Sequence, residues 1–191
     1  MGKQDSFIKR FTDIVISLIV LIITSPIMMI CIVAIRLETK GPAILVQERV
    51  GRGYKFFKFY KLRGMVMNAM EIGPDYTMID DPRLTKTGKL FRRLSVDEIP
   101  QFFNVLKGDM SIIGPRPDLD SVCCKYTAEE RKVFDFKPGI TGISQVNGRQ
   151  TLTPSERVRM EIDYYSKATF WSDLMIILKT PFVVITNEGN I

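Results

Sequence analysis

The densest group of reactive side chains in the sequence lies between positions 92 and 101, beside an apolar stretch. Two arginines, beginning at Arg92, precede the consecutive carboxylates Asp97 and Glu98 by five residues, and Pro100 follows. Because proline is tolerated within the first turn of a helix, this pattern predicts a helix that begins near Asp97. Carboxylates at such a position lie beside backbone N–H groups that have no partner within the helix, where negative charge is favourable.

Two interpretations of these carboxylates are open. In the structural one, Ser95 or Asp97 is the N-cap of the helix and Glu98 is an acid of its first turn. In the catalytic one, one carboxylate attacks a phosphorus atom while its neighbour holds a divalent cation against a diphosphate. A carboxylate nucleophile divides one difficult displacement into two easier ones, and Mg²⁺ neutralises the charge that would repel it.

Two later segments have the residue types needed to bind a phosphate or a nucleoside. In Gly114-Pro115-Arg116-Pro117, prolines on both sides of Arg116 lower the entropy cost of presenting its guanidinium, which suits bidentate phosphate contact. The segment 138–149 combines three glycines with hydroxyl groups and Arg149, so its backbone amides could cradle a phosphate. The alternative for each is a plain turn with a solvated arginine, and the glycine spacing matches neither a Walker loop nor a dinucleotide fingerprint.

Histidine is absent from the sequence. Catalytic systems that need an imidazole, such as a Ser-His-Asp triad, and zinc sites that use histidine are therefore excluded. The three cysteines favour neither a disulfide nor a metal site, because Cys31 lies in an apolar run and Cys123 and Cys124 are adjacent. Acid–base or nucleophilic work would fall to Asp, Glu, Lys, Tyr, Cys or Ser.

The excess positive charge is confined to one end of the chain. Residues 1–63 hold 11 basic and 4 acidic side chains (+7), and residues 64–191 hold 16 and 17 (−1), which together give the net charge of +6. This placement favours an anionic lipid surface or a phosphate-bearing substrate as partner. A nucleic-acid binder is not expected, since the neutral remainder of the chain does not provide the required basic footprint.

An uncharged apolar segment runs from Ile14 to Ile35, 22 residues that would measure about 33 Å as a helix. A single membrane-spanning helix is the simplest interpretation. However, Ser25-Pro26 stands in the middle, where proline removes a backbone hydrogen bond, and basic residues flank both ends. We therefore expect a re-entrant helix-break-helix that bends at Ser25-Pro26 and leaves by the face it entered.

The pattern along the rest of the chain predicts an α+β fold that is mostly helical. Short strands at 43–48 and 54–61 would form a β-hairpin, and a helix would cover about 64–71. Further helices are expected at about 86–94, 97–107, 118–124, 127–134 and 153–187. The stretch from Trp171 to Ile185 is amphipathic, which fits either a membrane-interfacial helix or ordinary core packing. The resulting organisation is a re-entrant membrane segment at 1–40 and a compact catalytic domain on the cytosolic face at 41–191.

Several segments together resemble the bacterial sugar transferase family, in particular its small monotopic phosphoglycosyl transferases, which include bacillosamine-phosphotransferase-like enzymes. The matching segments occur in family order over about residues 7–180, which makes the combination far more specific than any one of them. They are Lys9-Arg10-Phe11-Thr12-Asp13, Thr24-Ser25-Pro26, Gly41-Pro42, the residues 57–63, 94–101, 104–111 and 114–117, Pro138-Gly139-Ile140-Thr141-Gly142, and Asn147-Gly148-Arg149.

The resemblance implies a two-step transfer of a sugar-1-phosphate from a UDP-sugar to undecaprenyl phosphate, with release of UMP and initiation of glycan or polysaccharide assembly. Asp97 matches the nucleophile that becomes covalently phosphorylated, and Glu98 matches its partner in the dyad that holds Mg²⁺, with Asp97 also near the metal. The expected substrate-binding residues are Arg92, Arg116, Arg149, Lys61, Arg63, Gly142 and Asn147. The enzyme would be monotopic on the cytoplasmic face of the bacterial inner membrane, and a homodimer is left open.

One residue departs from the family pattern. Gly64 follows Arg63 where family members usually have Ser or Thr, so a hydroxyl contact is lost there. The main rival interpretation is a non-enzymatic, membrane-anchored binding module in which the basic region 49–63 docks on anionic lipid and the carboxylates only cap a helix. The sequence leaves open which sugar is transferred and in which glycan pathway.

Overall fold

The computed structural model describes residues 6–69, 71–74, 78, 81–148 and 151–186. Its first element is a long helix, α1 (Phe7–Glu38), which is long and apolar enough to cross a membrane by length and composition. Its buried positions recur at helical spacing along one face, whereas the apolar side chains around them are largely exposed. Those buried positions are Asp13, Ser17, Leu21, Cys31 and Ile35.

The predicted break at Ser25-Pro26 is wrong as an interruption of helical structure, since α1 continues through Pro26. Proline cannot donate to the carbonyl four residues earlier, which belongs to Ile22. The Ser25 hydroxyl donates to that carbonyl instead, at 2.8 Å, and the Thr24 hydroxyl donates to the carbonyl of Val20 at 2.7 Å. The two hydroxyls therefore supply local hydrogen bonds where proline removes one, and the helix does not end.

The predicted β-hairpin is confirmed. Strands β1 (Ile44–Val50) and β2 (Phe56–Leu62) pair antiparallel, with Gln47 opposite Phe59. The connection contains a single 3₁₀ turn at Arg52–Tyr54, where Gly53 adopts a positive φ of 66° that glycine tolerates without strain.

The remaining elements are mostly helical, as expected. They are α2 (Lys86–Arg93), a 3₁₀ turn (Val96–Glu98), α3 (Gln101–Lys107), β3 (Ser111–Ile113), α4 (Asp120–Cys123), a 3₁₀ segment (Glu130–Asp135), β4 (Gly139–Thr141), α5 (Ile143–Val146), α6 (Pro154–Lys167) and α7 (Phe170–Thr186).

Two further features differ from the sequence prediction. Residues 64–69 form a bridge and turns rather than a helix. A second, parallel pair of strands joins β3 to β4, with Ser111 opposite Gly139 and Ile113 opposite Thr141. Each of these strands has three residues, which is too short for an alternating pattern to be recognised in the sequence.

Among the residues that the structure describes, three apolar clusters hold the elements together. The largest surrounds Val105 and Met110, joining α3 and β3 to β2, α6 and α7. A second packs Ile35 of α1 against Leu62 and Phe91, and a third lies around Val158 of α6. Helix α6 begins with a capping box, because Thr153 and Glu156 exchange hydrogen bonds at its N-terminus.

Candidate active site

The two adjacent carboxylates lie in the 3₁₀ turn Val96–Glu98, one turn before the helix that was predicted to contain them. Helix α3 begins only at Gln101, with Pro100 at its N-cap position and no side-chain cap. Ser95, in the left-handed conformation at φ 54°, makes no capping hydrogen bond either. Ser95 and Asp97 therefore do not cap α3, whereas Glu98 is an acid in the first turn of the 3₁₀ segment, as the structural interpretation expects.

Asp97 is buried, with 3% of its surface exposed, and it lies against the end of the β-hairpin. Lys61, near the end of β2, places its ammonium nitrogen 2.8 Å from Asp97 Oδ2. A buried carboxylate is costly unless an opposite charge compensates it, and Lys61 supplies that charge. The structure thus brings together two residues of the predicted site that are far apart in sequence.

Glu98 faces a different cation. Its Oε1 lies 3.3 Å from a guanidinium nitrogen of Arg116, in the loop that joins β3 to α4. The Arg116 side chain is 43% exposed, so this pair is open to solvent and to a ligand. A guanidinium and a carboxylate that face the same opening are suited to a phosphate and its counter-cation, respectively.

Close backbone packing fixes the loop that presents Arg116. The Gly114 N–H donates to Thr141 O, and the Gly139 N–H donates to Pro115 O. A Cβ on Gly114 would collide with the backbone of Lys137, and a Cβ on Gly142 would collide with Gly114 O and the Tyr165 hydroxyl. Gly142, predicted to bind substrate, is thus required for this close approach behind the loop.

The same loop is also held by Glu161, a residue that the sequence analysis missed. Glu161 of α6 is fully buried, and its Oε1 accepts hydrogen bonds from the Arg116 backbone N–H at 3.0 Å and the Ser144 hydroxyl at 2.6 Å. Burial raises the pKa of Glu161, and the charge of Arg157 acts in the opposite direction. The sequence does contain a sign that Glu161 is buried. This carboxylate stands three residues after Val158 and four before Tyr165, on the apolar face of its helix.

A buried ionic network holds the other end of the loop. Asp118 Oδ2 accepts hydrogen bonds from Arg157 and from the Tyr126 hydroxyl, both at 2.6 Å. Asp118 O accepts a hydrogen bond from the Val50 N–H. Burial lowers the pKa of the nearby Arg49 to about 10. These contacts join β1, α6 and the loop. They therefore fix the backbone of the loop that carries Arg116.

Arg92 lies in the last turn of α2, close enough to interact electrostatically with the buried nucleophile candidate. Burial lowers the pKa of Arg92 below its ordinary value, while the charges of Asp97 and Asp81 act in the opposite direction. Lys61 thus contacts Asp97 directly, and Arg92 adds positive charge that interacts with the same carboxylate.

Two other predicted substrate-binding residues, Arg63 and Asn147, form hydrogen bonds with parts of the protein other than the dyad. Arg63 donates to the carbonyl oxygens of Thr39 and Lys40 at 3.0 and 2.8 Å, so it fastens the end of α1 to the hairpin. Asn147 accepts a hydrogen bond from Lys179 of α7 at 2.6 Å. Arg149 lies outside the described residues.

Gly64 has a packing reason to differ from the Ser or Thr usual in the family. A Cβ at this position would lie 3.2 Å from the Cα of Gly88, which is tighter than an ordinary contact. Thr85 caps α2 and its hydroxyl oxygen lies 3.3 Å from Gly64 O, so the hydroxyl in this region comes from another residue.

The dyad fits a magnesium ion by the chemistry of its donors. Among the residues that the structure describes, no three carboxylate, thiol or imidazole groups converge on one point. Magnesium, however, is commonly held by one or two carboxylates together with water and substrate phosphates. Asp97 and Glu98 are consecutive carboxylates, and Glu98 is the more exposed of the two.

A cleft of about 280 Å³ opens beside the dyad, on the side of Glu98. Glu98 and Arg116 line one part of it, and most of the remaining wall is apolar. The residues of that wall come from the dyad turn and α3, from β4 and α5, and from α7: Leu94, Val96, Ile99, Phe102, Ile140, Val146, Val183 and Val184.

Comparison with known proteins identifies relatives over nearly the whole chain. A galactosyl transferase, CpsE, of Streptococcus agalactiae is 42% identical over 95% of this chain, and an undecaprenyl-phosphate galactose phosphotransferase of Salmonella typhimurium is 39% identical over 99%. The chain spans only 43% of the length of each. A UDP-glucose:undecaprenyl-phosphate glucose-1-phosphate transferase of Caulobacter vibrioides is 36% identical over 95% of this chain and 71% of its own length. The sequence profile of the bacterial sugar transferases matches residues 4–187. On these grounds the chain belongs to the bacterial sugar transferase family.

Proposed function

We propose that this protein is a phosphoglycosyl transferase that moves a sugar-1-phosphate from a UDP-sugar to undecaprenyl phosphate through a covalent intermediate on Asp97. The observation that carries the proposal is the buried Asp97 carboxylate, 2.8 Å from Lys61, in a chain whose relatives are named for this transfer. Neighbouring Glu98 and Arg116 supply a carboxylate and a guanidinium beside it.

In the first step, an Asp97 carboxylate oxygen attacks the phosphorus that bears the sugar. The bond between that phosphorus and the oxygen bridging it to the second phosphate breaks, and UMP leaves with that oxygen and the electron pair. Lys61 and Arg92 place positive charge where the donor diphosphate must approach a carboxylate. The product on the enzyme is an aspartyl phosphosugar.

In the second step, a phosphate oxygen of undecaprenyl phosphate attacks the same phosphorus. The acyl oxygen of Asp97 leaves with its electron pair, which restores the carboxylate and yields undecaprenyl diphosphate sugar. Arg116 is suited to bind the incoming phosphate, because its guanidinium is exposed and its backbone is fixed.

Glu98, with Asp97 beside it, would hold Mg²⁺ in this scheme. A bound Mg²⁺ neutralises negative charge on the diphosphate and so reduces its repulsion of the carboxylate nucleophile.

Contacts of α1 with the rest of the chain support a re-entrant, monotopic arrangement. Near its start, Arg10 donates to backbone carbonyls at the end of α3, and Asp13 accepts hydrogen bonds from Ser111 and Ile112. Near its end, Ile35 packs against β2 and α2. Helix α3 and β2 are themselves bonded through Asn104. A helix that crossed the bilayer would carry these two regions, about 33 Å apart along its axis, to opposite sides of the membrane.

Helix α7 supports the same arrangement, since it presents a second apolar surface. Trp171, Met175, Leu178 and Phe182 recur every three or four residues and are all more than 60% exposed. An exposed apolar stripe with an aromatic residue at its start is typical of a helix that lies in a membrane interface. Attachment to the cytoplasmic face of the inner membrane would put the site beside both a soluble UDP-sugar and a lipid-linked acceptor.

The first experiment is to trap the covalent intermediate. The purified protein is incubated with Mg²⁺ and a panel of UDP-sugars carrying a radiolabelled sugar, without acceptor, and then denatured. We expect label on the wild-type protein, none on Asp97→Asn, and near-normal labelling of the exposed control Asp163→Asn. The donor that labels the protein identifies the sugar, which the names of the relatives leave divided among galactose, N-acetylgalactosamine and glucose.

The same experiment separates this proposal from the non-enzymatic binding module. A binding module would associate with anionic vesicles in a salt-dependent manner and release no UMP with any donor. Unlabelled wild-type protein, or equal labelling of Asp97→Asn, would overturn the proposed mechanism.

A further inference from the structure

We propose that the cleft beside the dyad seats the first isoprene units of the polyprenyl-phosphate acceptor, with the acceptor phosphate at Arg116; this rests on the proposed function. The cleft has its charged groups, Glu98 and Arg116, in one part and an apolar wall elsewhere. A polyprenyl phosphate likewise has a charged end, the phosphate, and an apolar remainder, the hydrocarbon chain.

The polar groups in the rest of the cleft are largely satisfied within the protein, which disfavours a nucleoside. The hydroxyls of Thr141 and Thr180 lie 2.8 Å apart, and Thr180 also donates to the carbonyl of Ile176 at 2.8 Å. The side-chain oxygen of Gln145 accepts a hydrogen bond from the Ser144 hydroxyl, and the side-chain nitrogen of Gln145 is the one buried donor of this lining without a partner among the described residues. A uracil or ribose placed here would lose hydrogen bonds to water with few new ones in return, whereas a hydrocarbon chain would lose none.

The volume of about 280 Å³ fits part of an acceptor rather than a whole donor. Pockets that enclose a drug-sized ligand measure about 300–1,000 Å³. The cleft therefore has room for the beginning of a prenyl chain, and the remainder of the chain would have to continue beyond it.

Helix α7 connects the cleft to the surface proposed to lie in the membrane. Val183 and Val184 line the cleft, while Leu178 and Phe182 of the same helix are exposed on the apolar stripe. A prenyl chain could therefore pass from lipid along α7 to the charged pair without crossing water. Burial of apolar surface at each stage would favour this path.

The test fills the cleft at Val184, which is half-buried and contributes to its apolar wall. We expect Val184→Trp to lower the rate at which undecaprenyl phosphate, below saturation, discharges the labelled intermediate by about tenfold or more. Labelling by the donor alone should stay within about twofold of wild type, since the donor does not need the apolar wall. Val184→Phe should show the same selective effect at smaller magnitude.

The adjacent residue provides a matched control. Ile185 is 82% exposed and does not line the cleft, so Ile185→Trp adds the same ring outside it and should leave discharge near the wild-type rate. Equal slowing of labelling and discharge in both Val184 variants, loss of labelling in both, or normal discharge in Val184→Trp would overturn the assignment. If the wild-type protein is not labelled, both the proposed function and this inference are refuted.

Discussion

The backbone N–H of Arg116 donates to the buried carboxylate of Glu161 at 3.0 Å, while the guanidinium of the same arginine lies 3.3 Å from Glu98. A residue deep in α6 is thus connected through one exposed arginine to the candidate metal-binding carboxylate. The groups through which Glu161 can affect turnover are the ones it holds, the Arg116 backbone and the Ser144 hydroxyl of α5.

Replacing Glu161 should impair turnover through the position of Arg116. Glu161→Ala leaves two donors, the partly buried Arg116 N–H and the buried Ser144 hydroxyl, without their acceptor, and kcat/KM should fall by about tenfold to a hundredfold. Glu161→Gln keeps an acceptor oxygen and should retain most activity. In an Arg116→Ala background, the further effect of Glu161→Ala on kcat/KM should largely disappear. Additive losses in this double-mutant cycle would contradict the positioning role.

The same carboxylate should make stability depend on pH. Because burial raises the pKa of Glu161 above its ordinary value of 4.5, the folded state holds this proton more tightly than the unfolded state. Its contribution to stability is fully present below pH 4.5 and is lost as the pH rises through the raised value. The Tm of Glu161→Gln relative to wild type should therefore increase as the pH is raised from 5 to 8. A Tm difference that stays constant over this range would contradict the expectation.

Removing the partner of Asp97, the proposed nucleophile, should destabilise the protein. Lys61→Met leaves the Asp97 carboxylate, whose side chain is 4% exposed, without its nearest cation. We expect a loss of about 1–3 kcal/mol in the free energy of unfolding, less than for a fully buried pair because the Lys61 side chain is 21% exposed. Lys58→Met, at an exposed position of the same strand, should cost little. Adding Asp97→Asn to Lys61→Met should restore stability but not activity, as thermal unfolding and UMP release would measure.

Withdrawal of Mg²⁺ should abolish formation of the labelled intermediate. In Glu98→Gln the carboxylate is lost but the side-chain size is kept, so the Mg²⁺ concentration for half-maximal labelling should rise by about tenfold or more. Glu48→Gln, on the exposed part of β1, should leave the Mg²⁺ requirement unchanged. Full labelling in excess EDTA would show that the dyad acts without a metal ion.

The proposed re-entrant arrangement predicts that both ends of α1 face the same compartment. Cysteines would be introduced singly at Gln4, Lys40 and Lys167 in a Cys124→Ser background, because Cys124 is the exposed cysteine of the three. The Lys167 side chain, 76% exposed at the end of α6, identifies the membrane face on which α6 lies. All three should react with an impermeant maleimide only in inverted membrane vesicles. Reaction of positions 4 and 40 from opposite faces would establish a spanning helix instead.

Local patterns were sufficient to predict the elements whose signals lie within a few residues of one another. The hairpin followed from two short runs around a glycine turn, and the apolar helix followed from 22 uncharged residues. The adjacent carboxylates were recognised because family motifs are themselves local. The bend at Ser25-Pro26 was predicted as a break because proline loses a hydrogen bond, but the Ser25 hydroxyl replaces that bond within the same turn.

The partners of these residues required the tertiary structure. Lys61 and Arg63 are two residues apart and would point to the same side of a continuous strand, yet β2 ends at Leu62, so Lys61 reaches Asp97 while Arg63 reaches the end of α1. Glu161 was not recognised because its two donors come from α5 and from the loop that carries Arg116, which are 17 and 45 residues away in the chain. The chemistry of each residue and the spacing of neighbouring residues can be obtained from the sequence directly. The compensation of a buried charge depends instead on which distant atoms arrive beside it when the apolar clusters pack.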